Sequence, residues 1–206
     1  MTEKFCSYLT KRISKEMPEL DKDRLEAINY GLQNIIGEIP KIFIVIAIGY
    51  LLGVGNLTLL SILLIGTYRS FAGGFHAKTH IGCITSTTLM FCGPAILAKY
   101  IDFQVNEIKY ICIAILWMFA IIMIKLYAPA DTENVPILRK KERKQKQILS
   151  FMVVTIELIV ALFIPDTIIS NLIIIGVLFE TVTITRFAYK LTNNKYGYEV
   201  YCNMSK

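Results

Sequence analysis

Charge is scarce in this chain. Of its 206 residues only 18% are Asp, Glu, Lys or Arg, 54% are hydrophobic, and the mean hydropathy is +0.53. A soluble domain carries nearer a quarter charged residues, so a soluble domain, a disordered tail, a coiled coil and a collagen are all excluded. The first 30 residues alternate charged and apolar positions and lack the compact apolar core of a cleavable signal peptide, so insertion through internal spans is expected. Five cysteines, an odd number scattered along the chain, do not form a disulfide framework. There is no internal repeat and no low-complexity linker. Histidine is scarcest of the reactive residues, with two copies in the whole chain.

What remains is long apolar sequence. Ile42 to Tyr68 is 27 residues without a charge, and the 20 residues between Lys78 and Lys99 carry none either. Further apolar stretches run from Tyr110 to Ile124, from Ile148 to Pro165 with one Glu157, and from Thr167 to Thr185 with one Glu180. A helix needs about 20 apolar residues to cross the hydrocarbon. The first run is too long for one crossing and is interrupted by Gly53, Val54, Gly55 and Asn56, which reads as a hairpin. Its second arm, from Leu57 to Tyr68, is short and is expected to be tilted, re-entrant or extended by Phe71 and Ala72. The expected fold is an all-α polytopic membrane bundle of about six spans over residues 34–206. Residues 1–33 are expected to be amphipathic interfacial helices, with Phe5, Leu9 and Ile13, then Leu25, Ile28, Leu32 and Ile35, repeating at helical spacing.

Six spans put both termini on one side. That side then holds 20 of the 22 Lys and Arg residues, leaving Lys99 and Lys109 on the other, so it is assigned to the cytoplasm. The net charge of +6 is explained by topology, and no nucleic-acid partner is needed. Both histidines, His76 and His80, lie in the loop 69–83 on that side, close to Cys83. A thiol nucleophile needs an imidazole base within hydrogen-bond reach. Were Gly73 to Cys83 one helix, His76 and Cys83 would sit about 10 Å apart along its axis, so the loop must turn between them. Gly73 and Gly74 permit this, and Thr79 is the expected N-cap of the next span. Cys83 in that first turn, with Arg69 and Lys78 nearby, is set to ionise. No carboxylate or amide close in sequence orients His76. The rival reading is zinc held by His76, His80 and Cys83; against it, the Glu of an H-E-x-x-H pair is replaced by Ala77. Cys92 and Cys112, inside spans, read as small buried apolar residues.

The arginine, Gly-Gly, histidine and cysteine of this loop, with Tyr30-Gly31 and the segment Ala128 to Ile137, resemble the accessory gene regulator protein B (AgrB) family. These are membrane endopeptidases that process quorum-sensing propeptides. The resemblance implies His76 as base, Cys83 as nucleophile and Arg69 and Gly74 as functionally important; Gly73 and Lys78 join them as supporting or positioning residues on the reading of the loop itself, and no cofactor is expected. The resemblance also implies cleavage of an AgrD-type propeptide through an acyl-enzyme thioester, which the propeptide's own cysteine or serine then attacks to close a thiolactone or lactone. Val135 departs from many relatives, which carry a basic residue there. Arg139, Lys140, Lys141, Arg143, Lys144 and Lys146, in the basic loop 125–147, are candidates for docking the substrate's acidic tail, or serve simply as a positive-inside determinant. Glu157 and Glu180 are costly in spans unless paired; they are expected to line a cavity, meet polar groups such as Asn171, or bridge subunits. A homodimer would suit so small a bundle. A peptide transporter or a membrane binding partner is the alternative from another class.

Overall fold

The computed structural model describes residues 2–17, 21–77, 79–101, 106–133 and 136–204. Among them the regular structure is helical throughout: α1 (Thr2–Glu16), α2 (Lys22–Leu51), α3 (Gly55–Ala72), α4 (His80–Tyr100), α5 (Asn106–Tyr127), α6 (Lys140–Phe163), α7 (Thr167–Thr183), α8 (Arg186–Leu191) and α9 (Gly197–Met204). Helices α2 to α7 form the bundle. Within α4, α5 and α6 lie segments long and apolar enough to cross a bilayer, and α7 is a shorter apolar helix.

Helix α5 explains why the chain needs lipid. Ile113, Leu116, Ala120 and Ile124 recur every three or four residues and are buried against the bundle. Ile111, Ile115, Met118, Ile122 and Leu126 follow the same period on the opposite face and are exposed. Two apolar stripes on one helix leave no polar face for water, so the outer one is suited to hydrocarbon. Helix α7 is the axis of the fold. It packs against α3, α4, α5 and α6, and every residue from Ser170 to Val177 is buried.

The turns follow from local chemistry. Between α2 and α3 the chain reverses at Gly53, whose φ of 71° is left-handed. Helix α3 then runs unbroken for 18 residues through Phe71 and Ala72, about 27 Å at 1.5 Å per residue. Between α6 and α7, Asp166 caps the new helix by accepting a hydrogen bond from the Ile169 amide at 3.0 Å. The amphipathic segment bearing Leu25, Ile28 and Leu32 shares one continuous helix, α2, with the span that follows it. Helix α1 packs on α2, with Thr10 Oγ1 donating to Asn29 Oδ1 at 3.2 Å.

At the end of the bundle where α3 stops and α4 starts, two loops are stitched together. The Gly74 amide donates to the Ala130 carbonyl (2.9 Å), and the Ala130 amide to the Ala72 carbonyl (2.7 Å). Tyr189 of α8 donates to the same Ala130 carbonyl at 2.8 Å and stacks on Tyr196 with ring centroids 4.1 Å apart. Asp131 collects the next segments: its Oδ2 accepts from the Ile137 amide, the Tyr198 amide and Arg143.

Candidate active site

The loop after α3 cannot remain helical. Gly73 and Gly74 have φ of 79° and 143°, a region that a Cβ disfavours. Space is short as well: a Cβ on Gly73 would lie 2.3 Å from the Ala130 carbonyl oxygen, and one on Gly74 2.6 Å from Arg69 Nη1. The chain therefore leaves α3, passes Phe75, His76 and Ala77, and re-enters helix at His80. Thr79 is the N-cap, its hydroxyl accepting from the Gly82 amide at 3.1 Å. Cys83 is thereby set in the first turn of α4, its own amide bonded to the Thr79 carbonyl. It is buried, 9% exposed.

His76 and Cys83 line one cavity of about 360 Å³. Its walls come from α2 (Glu38, Ile42), α3 (Ile62, Arg69), α4 and α7 (Phe179, Thr183). Arg69 crosses it. One guanidinium nitrogen pairs with Glu180 Oε2 at 3.2 Å and reaches Thr183 Oγ1 at 3.4 Å, while the other donates to the Phe75 carbonyl. The loop between α3 and α4 is thus tied through Arg69 to a carboxylate that is wholly buried in α7. His76 itself lines this cavity and is exposed. The protein around it, followed by the positive charge of Arg69, holds its imidazole below the usual histidine range, with Glu38 opposing. Its backbone carbonyl accepts from Asn194 Nδ2 at 2.9 Å.

Two residues escaped the sequence reading. Lys41 Nζ lies 3.2 Å from Cys83 Sγ and 2.6 Å from Glu38 Oε1, and the Lys41 side chain is only 14% exposed. The available signal was a Glu-x-x-Lys pair at the entry of an apolar run, which puts both on one helical face. Glu180 was recognised as costly, and its partner is Arg69. Asn171 does not meet it, donating instead to the Ile101 carbonyl at 2.6 Å.

The remaining candidates separate. Lys78 and the His80 side chain lie outside the described residues, as does Val135. Among the described residues no group of three His, Cys, Asp or Glu is arranged to hold a metal ion. In the basic run, Arg143 is engaged inside the protein: it pairs with buried Asp131 at 3.0 Å, donates to the Pro129 carbonyl and lies over the Tyr198 ring. Arg139, Lys140, Lys141 and Lys144 are exposed, and Lys146 sits 3.9 Å from Glu142 on the same helix.

A family model described as accessory gene regulator B matches residues 3–184. An AgrB-like protein of Clostridium acetobutylicum is 29% identical over 198 residues, covering 94% of this chain and 90% of that one. An AgrB-like protein of Listeria innocua is 30% identical over 192 residues, with 92% and 91% covered. The accessory gene regulator protein B of Staphylococcus aureus is 28% identical over 188 residues, with 91% and 94% covered. No solved structure matches the chain.

Proposed function

Because the chain belongs to the accessory gene regulator B family, we propose that its part in quorum-sensing processing is that of a membrane cysteine endopeptidase which cleaves and cyclises an AgrD-type propeptide. The observation that carries this reading is the shared cavity: the one imidazole and the one thiol of the loop 69–83 with described side chains line the same pocket, with the thiol in the first turn of a capped helix. Partial positive charge at that helix start favours a thiolate, and a neutral imidazole is the form that accepts a proton.

In the proposed reaction His76 takes the Cys83 proton. The sulfur electron pair forms a bond to the scissile carbonyl carbon, and the carbonyl π pair moves to oxygen. Collapse of the tetrahedral species breaks the C–N bond, and His76 returns the proton to the departing amine. The resulting thioester passes its acyl group to an internal thiol or hydroxyl of the same peptide, freeing Cys83 and closing the ring. Replacing an amide by a thioester is uphill, so removal of the cleaved tail must draw the reaction forward. Walls such as Ile62, Phe91 and Phe179 favour ring closure by limiting water at the thioester. The excess of Lys and Arg beside these segments orients the site and both termini to the cytoplasm.

Purified protein in vesicles, incubated with its cognate propeptide, should yield a cyclic product and a C-terminal fragment identified by mass. Cys83→Ala should yield neither. Retention of cleavage by Cys83→Ala overturns the reading.

A further inference from the structure

Lys41 is the only ammonium among the described residues hydrogen-bonded to Cys83 Sγ, and the sequence separates the two by 42 positions. Such a contact is expensive to maintain by accident. Burying an ammonium costs free energy unless it is paired, and here the cation is paired on one side by Glu38 and faces the thiol on the other. The Glu38 carboxylate favours the charged amine over the neutral one, so Lys41 is a fixed cation and cannot serve as the base. That work is left to His76. Arg69 does not duplicate the arrangement, because its guanidinium is spent on Glu180, Thr183 and the Phe75 carbonyl. Among the described residues, the charged and titratable groups lining the cavity around the sulfur, or bonded to it, are therefore Glu38 and Lys41 from α2, Arg69 from α3 with its partner Glu180 from α7, and His76 from the loop.

We propose that Lys41 is a catalytic residue of this site: its ammonium hydrogen-bonds the Cys83 sulfur and stabilises it as the thiolate while His76 carries the proton, and Glu38 positions the ammonium. The assignment rests on the peptidase reading given above. Lys41 keeps all three protons throughout; it forms and breaks no covalent bond. Its contribution is a charge-assisted hydrogen bond to developing negative charge in a partly desolvated corner. This supplies the third member that the loop sequence does not contain.

The test is alkylation of Cys83 by iodoacetamide in the full-length protein in micelles, followed peptide by peptide by mass so that the other cysteines do not interfere. Near pH 7, Lys41→Met should slow modification of Cys83 about tenfold, since one opposite charge at this range is worth about one pH unit or more of ionisation. Near pH 9.5 the difference should close, because the thiol then ionises without help. Lys41→Arg should keep the rate within about threefold, and Glu38→Gln, which loosens the ammonium without removing it, should slow the reaction about threefold. Propeptide cleavage should fall in the same order. Equal rates near pH 7 overturn the proposal, as does a deficit of the same size at both pH values, which would mean lost access. If Lys41→Arg is as slow as Lys41→Met near pH 7 but both recover near pH 9.5, Glu38→Gln decides: a rate slowed about threefold supports the proposal and an unchanged rate overturns it. The two readings fail separately: cleavage by Cys83→Ala removes the peptidase, whereas normal alkylation in Lys41→Met with Cys83-dependent cleavage removes only the role of Lys41.

Discussion

Arg69 and Arg143 look alike in isolation. Each arginine side chain is 21% exposed and pairs with a carboxylate side chain of no exposure, Glu180 at 3.2 Å and Asp131 at 3.0 Å. Their surroundings differ. Asp131 Oδ2 also accepts two backbone amides, those of Ile137 and Tyr198, so its charge is spread over peptide dipoles at the edge of the bundle. Glu180 lies inside α7, where its Oε2 takes Arg69; the second oxygen of each carboxylate, Glu180 Oε1 and Asp131 Oδ1, has no partner among the described residues. One pair is a joint between loops. The other is a single clamp that holds the loop between α3 and α4 against the bundle. Ala130, next to Asp131, is hydrogen-bonded to both Ala72 and Gly74, so the joint and the clamp brace neighbouring parts of one loop.

The comparison breaks most visibly if the clamp is cut. Arg69→Ala leaves a buried carboxylate with no cation, which costs about 3–5 kcal/mol, and it also frees the Phe75 carbonyl. Arg143→Ala leaves Asp131 with its two amides and should cost about 1–3 kcal/mol. Thermal loss of monodispersity in micelles measures the order. Adding Glu180→Gln to Arg69→Ala should restore part of the loss, because a neutral amide demands no cation. Equal costs for the two arginines, or the reverse order, would mean that the two pairs are energetically the same.

Next in size are the two glycines between clamp and joint. Gly73→Ala drives its Cβ into the Ala130 carbonyl, which is backbone and cannot step aside; Gly74→Ala meets the end of Arg69, which can. Both also force an alanine to positive φ, at about 1–3 kcal/mol each. Gly73→Ala should therefore be the less stable, while Gly74→Ala should keep more fold than propeptide cleavage, since it displaces the guanidinium that shapes the cavity. Parallel losses in both assays for both variants would erase the distinction.

That ranking also marks how far the sequence could be read. The spans, the hairpin at Gly53, the Thr79 cap and the turn between His76 and Cys83 were legible because each is a local matter of period, glycine or capping. The pairs were not. Lys41 with Cys83, Arg69 with Glu180 and Arg143 with Asp131 join residues on different segments, and an apolar pattern reports which face is buried without saying which polar groups meet there. In the sequence Asp131 is one residue of a conspicuous segment, and Arg143 is indistinguishable from its neighbours in the basic run, because a run of charge looks uniform until one member finds a buried partner.

A smaller effect concerns the imidazole. Protein mass and Arg69 hold His76 below its ordinary value of 6.5, so it stays neutral, and able to accept a proton, as pH falls past that value. A lowered base loses its contribution only as pH drops through the folded-state value. The acid limb of kcat/KM for propeptide cleavage should therefore have its midpoint below 6.5. Glu38→Gln, which removes the opposing negative charge, should move it lower still. A midpoint at 6.5 would show that the rim of the cavity behaves like open water, and one above it that the Glu38 carboxylate outweighs burial and Arg69.

The smallest effect is expected where charge is most abundant. Lys140, Lys141 and Lys144 are exposed on α6, outside the pair that holds Arg143, and exposed charges interact weakly and are screened by salt. If they gather an acidic substrate tail, changing all three to Gln should raise KM roughly fivefold at low salt and hardly at all at physiological salt, with kcat unchanged. Arg143→Gln should behave differently, lowering stability at any salt because its partner is buried. A salt-independent loss in the triple variant would place those lysines in the structural joint beside Arg143. No change at either salt would leave them as residues that orient the chain in the membrane, and would confine substrate recognition to the cavity around Cys83.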